Sequence, residues 1–251
     1  MFKPNCVLAL LSPEISLKSN AVQKRFHLML KDNIKLDIKN AGAKYLNIYY
    51  RTGRFFIDTT EPEKVINALK NTFGLYQLIE VQKEKIFVKE EIMSYGLDLC
   101  LDFKGSFAIR CKSRGNPLNS MEVERELGAE VVAKKNLKVN LTNPDNQLNI
   151  LIFNDKTYFY FKGINGAKGM PVGVQGKVAL FGENKQLTFY LNKFGCTVVN
   201  VDKNNLESIE KAKKLYRETK VKAFFCEAKT IKERKEFDKL AGIKVFAPLI
   251  I

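Results

Sequence analysis

The sequence predicts an α+β N-terminal part followed by an α/β domain with a short parallel sheet. Three observations carry this reading. Up to about residue 165, helix-like and strand-like stretches mix without regular alternation, which fits mixed strand pairing. Beyond residue 176, short apolar runs and amphipathic stretches alternate strictly, as parallel strands joined by crossover helices do. Between the two lies Gly163 to Gly176, a linker or ligand-contacting loop with five glycines and one proline.

Val7–Leu11 reads as a buried strand and Ser12–Ser19 as a loop. Asn20 caps a helix from Ala21 to about Asn40, along which Val22, Phe26, Leu30, Ile34 and Ile38 recur every four residues. Strands Tyr45–Arg51 and Arg54–Thr59 follow, joined by a tight turn at Thr52-Gly53. Pro62 opens a helix whose buried face is Val65, Ile66, Leu69 and Phe73, and Gly74 ends it. Leu75–Val81 is extended, Lys89 to Leu101 helical, and Ser106–Lys112 a strand. Asn119 caps the next helix, with Glu122 in the reciprocal capping position and Val123, Leu127 and Val131 on one face. Strands Lys138–Leu141, Gln147–Phe153 and Lys156–Phe161 complete this part, the last two joined through Asn154-Asp155.

In the alternating region, strands fall on Val178–Phe181, Thr197–Val201, Ala223–Cys226 and Lys244–Leu249. Helices from about Lys185 to Phe194, Leu206 to Thr219 and Ile231 to Leu240 separate them. Ligands in such sheets bind beyond the carboxyl ends of the strands, so the turn after Phe181 is the first place to expect one. The apolar ending Val245–Ile251 either completes the sheet or pairs across a homodimer interface.

Forty-two Lys and Arg against 27 Asp and Glu give the 251-residue chain a formal charge of +15. Residues 1 to 169 hold 26 basic and 18 acidic side chains, a net of +8, and the remainder a net of +7. The excess is spread through folded sequence, which points to a polyanionic partner, nucleic acid ahead of a membrane surface. A lysine-rich or thermophilic composition is the alternative source of such charge. No apolar run approaches the roughly 18 to 20 residues of a membrane span, and Val7–Leu11 is too short for a signal-peptide core. Five scattered cysteines form no CxxC pair or Cys/His cluster, so no metal site is expected, and a reduced, cytoplasmic location is. His27, the single histidine, leaves no Ser–His–Asp or Cys–His set to assemble.

Pro13-Glu14-Ile15-Ser16-Leu17-Lys18-Ser19-Asn20, followed by Lys24-Arg25-Phe26, resembles the opening motif of the tRNA 4-thiouridine synthetases, the ThiI-type tRNA sulfurtransferases. Phe107 to Arg114 looks like the strand of a THUMP domain, and Ser120 to Ala129 like its following helix. Gly169-Met170-Pro171-Val172-Gly173, with Gly176-Lys177, is similar to the glycine-rich lead into the family's catalytic domain. The resemblance runs from about residue 7 to residue 202. It implies a ferredoxin-like domain over residues 1–60, a THUMP domain over 61–165, and a degenerate PP-loop-like, Rossmann-like α/β domain over 166–251. The first two domains of the family hold the acceptor end of tRNA.

In the family's adenylating domain, Ser-Gly-Gly-x-Asp-Ser after the first strand cradles ATP phosphate. Aligned on Lys177–Leu180, that motif falls on Phe181-Gly182-Glu183-Asn184-Lys185-Gln186, and only Gly182 survives. A phosphate loop needs small residues and a helix N-terminus. Phe181 and Glu183 are expected to put bulk and negative charge where phosphate would sit, leaving Gly182 and Lys185 as the remnant of a cofactor site. The family moves persulfide sulfur through a cysteine of this domain, often with a second one in a rhodanese domain or a CxxC; no CxxC is present, and no rhodanese extension is expected here. Cys226, at a carboxyl strand end, is the candidate, against a buried structural role for it and for Cys196.

The expectation is therefore a tRNA-binding protein for tRNA modification without adenylating activity and without a cofactor, served by a separate catalytic or sulfur-donor protein. The alternative is an atypical ATP-dependent tRNA sulfurtransferase using Cys226 and the altered loop. Lys18, Lys24, Arg25, Arg110, Lys112, Arg114 and Lys168 are the candidate RNA contacts. Arg110 and Lys112 share a strand face by the period of two, and Gly115-Asn116-Pro117 is a turn that presents Arg114 outward. Tyr49 and Tyr50 are read either as base-stacking residues or as one core and one solvent-facing side chain.

Overall fold

The structure, a computed structural model, describes residues 1–248. The strands are β1 (Cys6–Leu11), β2 (Asn47–Arg51), β3 (Arg54–Asp58), β4 (Leu75–Glu84), β5 (Ser106–Arg114), β6 (Lys138–Val139), β7 (Asn146–Phe153), β8 (Lys156–Tyr160), β9 (Ile164–Asn165), β10 (Gly176–Phe181), β11 (Cys196–Val201) and β12 (Val221–Phe225). The helices are α1 (Pro13–Ser16), α2 (Asn20–Asn40), α3 (Pro62–Leu69), α4 (Lys89–Cys100), α5 (Ser120–Lys135), α6 (Lys185–Lys193), α7 (Leu206–Arg217) and α8 (Ile231–Ala241). Two compact units result. The first gathers Met1–Leu10, Ile38–Lys70 and Gln77–Asn165; the second gathers Leu11–Asp37, Asn71–Tyr76 and the chain from Gly166 onward.

In the first unit a nine-stranded sheet runs β2-β3-β1-β4-β8-β7-β5-β6, with β9 pairing β4. Pairing is mixed, as expected: β5 runs parallel to β6 and β7, while β2–β3, β1–β3, β4–β8 and β7–β8 are antiparallel. At the β2–β3 turn both Thr52 (φ 45°) and Gly53 (φ 80°) are left-handed, the geometry that matches a hairpin's twist. Alternation along β7 and β8 sends Leu148, Ile150, Ile152 and Phe159 to one face, against Ile92 and Leu97 of α4 and Val123, Leu127 and Val131 of α5. It sends Leu151 and Tyr158 to the other face, with Cys6, Leu8, Phe56 and Val81. Gly96 lets α4 approach α5 closely; a Cβ there would lie 2.8 Å from a Leu127 methyl.

Several expectations change in these N-terminal segments, the first being the start of α2, where Asn20 is already helical and the Ser19 carbonyl accepts the first turn's bond from Gln23. Ser12–Ser19 is not all loop, because Pro13 starts a helical turn that buries Ile15. Helix α3 stops at Leu69, so Phe73 lies beyond it and not on its buried face. Asn119 does cap α5, accepting from the Met121 amide at 3.1 Å, but Glu122 does not complete a capping box; its carboxylate meets the Lys89 ammonium instead. The ion pair displaces the reciprocal cap.

In the second unit, β11-β10-β12 form a three-stranded parallel sheet with crossover helices, as the alternation predicts. Ala179 and Phe181 of central β10 face Ile209, Phe224 and Val245; Val178 and Leu180 face Leu187 and Leu191. Asn184, Asn205 and Thr230 cap α6, α7 and α8 through their side chains. The expected fourth strand is reduced to one parallel bridge, Phe225 to Phe246. Phe246 donates to the Phe224 carbonyl and accepts from the Cys226 amide, both at 2.9 Å, but the next residue due to face β12 is Pro248, which has no N–H to continue the ladder. Val245 is buried in this core, whereas Leu249 and the rest of the apolar ending lie outside the described residues. Strand β12 begins two residues earlier than expected and leaves Cys226 just past its end.

Candidate nucleic-acid interface

In the first unit, β5 is paired with β7 along its length but with β6 only at Ser106 and Phe107, which leaves its later edge open. An open strand edge needs protection, and Glu124 of α5 supplies it by accepting the Cys111 amide at 2.6 Å. Cys111 is buried, and Arg110, Lys112 and Arg114 alternate with it on the opposite face, as the period of two requires. Lys112 and Arg114 are exposed. Arg110 is half-buried, and one guanidinium nitrogen donates to the Leu141 carbonyl at 2.6 Å, fixing its direction. The turn after Arg114 is pinned: Asn116 donates to the Asn154 carbonyl at 3.0 Å and accepts from the Leu118 amide at 3.0 Å. Gly115 adopts φ +67°, and a Cβ there would lie 2.1 Å from Asn154 Oδ1.

In the second unit, Lys18 and Lys24 are exposed on the α1–α2 corner. Gln23 holds that corner by donating to the carbonyls of Ser16 and Lys18 at 3.0 and 2.8 Å, a role the sequence reading missed. Arg25 packs over Phe26 and reaches the Val174 carbonyl at 3.5 Å; Asn33 donates to the Val172 carbonyl at 3.1 Å. Helix α2 thereby grips the glycine-rich segment. Lys168 there is exposed and left-handed (φ 60°), its ammonium 5.2 Å from the Tyr76 ring centroid. The seven candidate cations thus divide, three in the first unit and four in the second. Of the two tyrosines, Tyr49 stacks on Phe56 and its hydroxyl meets that of Tyr158 at 3.2 Å; burial pushes its pKa up, and it serves the core.

The turn after Phe181 keeps the strand–loop–helix geometry of a phosphate site. Phe181 does not obstruct it, contrary to expectation: the ring is buried against Phe224 and Phe237. What occupies the loop is Asn184, whose side-chain oxygen accepts from the Leu187 amide at 2.8 Å and whose amide nitrogen donates to Glu227 Oε2 at 3.0 Å. Gly182 (φ +85°) lies beneath that carboxylate, 3.9 Å from its would-be Cβ to Oε1. Lys185 and Glu183 are exposed. A crevice of about 780 Å³ opens at the carboxyl ends of β10 and β12, the switch point of the sheet, where Lys203 and Lys229 are outnumbered by Glu227, Glu233 and Glu236. The helix dipole that would attract phosphate is answered by the chain's own carboxylate.

Cys226 is fully buried, and burial raises its thiol pKa, the reverse of a reactive thiolate's environment. Cys196 is half-buried and shifted the same way. Among the described residues no cluster of His, Cys, Asp and Glu could hold a metal, and no helix is long and apolar enough to cross a membrane.

Comparison with known proteins matches residues 12–78 to the ThiI ferredoxin-like domain and residues 80–162 to the THUMP domain. A probable tRNA sulfurtransferase of Clostridium kluyveri is 38% identical over 160 residues, covering 62% of this chain and 41% of that protein. Its counterpart in Methanothermobacter thermautotrophicus is 31% identical over 219 residues, covering 80% and 55%. The chain spans about half the length of these curated relatives. A 4-thiouridine synthetase crystallised with RNA and bound ATP superimposes with a TM-score of 0.73 at 19% identity, over 98% of this chain and 81% of that one, a likeness of fold. Fold and matches together define a THUMP-domain protein with a ferredoxin-like module before it and a parallel α/β module after it. Within that class, the chain belongs to the ThiI-type family.

Proposed function

We propose that this chain is a tRNA-binding protein of the 4-thiouridine-synthetase type. It recognises the acceptor end of tRNA through its ferredoxin-like and THUMP domains and serves tRNA modification in the cytoplasm without adenylating its substrate. The observation that carries the reading is the unbroken run of two ThiI-type domains over residues 12–162, coupled to the basic face of Arg110, Lys112 and Arg114.

The loss of adenylation is supported by the Asn184–Glu227 pair at the α6 N-terminus and by the acidic excess of the crevice. The chemistry then belongs to a separate catalytic or sulfur-donor protein, and no cofactor is needed here. A sulfurtransferase built on Cys226 would need an accessible thiolate, and burial weighs against one. The test is titration of the full chain with tRNA and with unrelated duplex DNA at physiological salt, then with ATP in the presence and absence of tRNA. Preference for tRNA with no ATP binding is the expected result. Equal affinity for both nucleic acids overturns the tRNA assignment, and micromolar ATP binding lost on mutating the Gly182–Gln186 loop overturns the loss of adenylation.

A further inference from the structure

Helix α6 buries Leu187 and Leu191, yet it leaves Phe189 and Tyr190 each 47% exposed, and the capping residue Phe194 is 62% exposed. The outer positions of a helix on a soluble domain are ordinarily polar. Here residues 189 and 193, and residues 190 and 194, form two neighbouring i,i+4 rows that are aromatic at three positions and lysine at the fourth. Phe189 meets the ring of Phe73 edge-on at 5.2 Å, and the Lys193 ammonium lies 5.9 Å from its centroid.

Backbone bonds bring two other segments to the same place. The Met170 amide donates to the Lys193 carbonyl at 2.9 Å, and the Gly74 amide to the Lys168 carbonyl at 2.9 Å. Gly169 makes this approach possible: it adopts φ +76°, and a Cβ would lie 2.5 Å from the Lys193 carbonyl oxygen. The converging segments, Asn71–Tyr76, Gly166–Gly176 and Lys185–Phe194, hold five aromatic residues and three lysines, with no aspartate or glutamate. Asp37 of α2 does touch them, accepting from the Thr72 hydroxyl at 2.6 Å.

We propose that the outer face of α6 is a stacking platform for unpaired nucleotides of the RNA this protein binds. Bases lie on Phe189, Tyr190 and Phe194, and the adjoining phosphates meet Lys168 and Lys193. Exposed aromatic rings interleaved with cations, the one touching carboxylate (Asp37) being engaged by Thr72, are the chemistry of single-strand recognition, because every base offers a π-face and every nucleotide a negative charge. The proposal rests on the RNA-binding reading above and extends it to a part of the chain outside the two matched domains.

The sequence contains no tryptophan, so Phe194→Trp in the full chain introduces a single indole at an exposed position. A 12-nucleotide single-stranded RNA should quench that indole, and a blunt RNA duplex of the same length should not. A Phe189→Ser, Tyr190→Ser double variant should bind the single strand roughly ten-fold or more weakly, given the strength of base–aromatic stacking. Its salt dependence should stay parental, since no charge is removed. Circular dichroism of both variants reports whether the fold is kept, and the indole measurement stands even if the double variant unfolds. An unquenched indole, or parental single-strand affinity in a folded double variant, overturns the platform. If the double variant keeps its RNA affinity but loses self-association, the face serves a protein contact, and the proposal also falls. Parental binding of tRNA in either of these cases leaves the tRNA reading intact, whereas a parent that binds no tRNA overturns both.

Discussion

The steepest consequence of the basic surface is its salt dependence, and Lys112 is where it is best measured. Each phosphate neutralised by a lysine or arginine releases condensed counterions and contributes about 0.7 to 0.9 to the slope of log affinity against log salt. If all seven candidate cations meet phosphates, the slope on tRNA is about −5 to −6. Arg25 and Arg110 already donate to the carbonyls of Val174 and Leu141. If only the other five engage, the slope is about −4, and affinity falls about 250-fold between 50 and 200 mM salt. Lys112→Gln, at an exposed position on β5, should flatten the slope by about 0.8, so the parent-to-variant affinity ratio narrows about three-fold over that range. Fluorescence anisotropy of labelled tRNA from 50 to 300 mM KCl provides the measurement. Lys64→Gln is the control, because Lys64 is an exposed surface lysine paired with Glu61 and is outside the candidate set. A parental slope shallower than about −2, or a Lys112→Gln line parallel to the parent's, refutes phosphate contact by this strand face.

Other consequences follow from the same geometry. Glu227→Gln removes the carboxylate at the α6 N-terminus while keeping an oxygen for Asn184 Nδ2; calorimetry with ATP should show binding at least ten-fold tighter than in the parent, and identical isotherms would clear Glu227 of blocking the loop. Gly115→Ala forces a side chain into φ +67° and against Asn154; urea denaturation should register a loss of about 1–3 kcal/mol, and an unchanged midpoint would contradict the pinned turn. The Ser106 backbone and hydroxyl hydrogen bonds hold the Asp145 carboxyl below its ordinary pKa. Its stabilisation is therefore present above the unfolded pKa and lost as pH falls through the lower, folded one; Asp145→Asn should flatten the acid limb of Tm against pH below about pH 4, and a parental limb would refute this. Phe181→Ala should cost about 3–5 kcal/mol as a cavity opens beside Phe224 and Phe237; a loss below 1 kcal/mol would return Phe181 to the loop.

Local pattern made most of the fold legible. The four-residue recurrence of Phe26, Leu30, Ile34 and Ile38 names the side chains that α2 buries, and Thr52-Gly53 names its own hairpin. Strict alternation after residue 176 was enough for a parallel sheet, because a crossover helix leaves few other arrangements. The pattern fails where a distant partner claims a locally suited group or a single proline interrupts a ladder. Glu122 suits a capping box three residues from Asn119, but Lys89 claims it. The last apolar run suits a strand, but Pro248 stands where the next N–H toward β12 is needed. The aromatic face of α6 went unread, although its signal lies in the sequence: once Leu187 and Leu191 face inward, Phe189 and Tyr190 stand where polar residues belong.

The phosphate loop sets the boundary of such reading most sharply. Alignment of Phe181 to Gln186 with the family motif reveals that both serines, the second glycine and the aspartate are missing, and it suggests Phe181 and Glu183 as the obstruction. The ring turns out to be a core residue, so the loop is not closed by bulk. Strand β10, left-handed Gly182 and the α6 N-terminus still provide the geometry that draws anions. The carboxylate bonded to the loop is that of Glu227, 43 residues from its partner Asn184, and no motif spans that distance. Parallel topology alone brings them together, since β10 and β12 are neighbours and their carboxyl ends open on one crevice. An anion site in this architecture is thus defined by which side chain the neighbouring strand end delivers to the helix. In this chain that side chain is Glu227, hydrogen-bonded to the residue that caps α6.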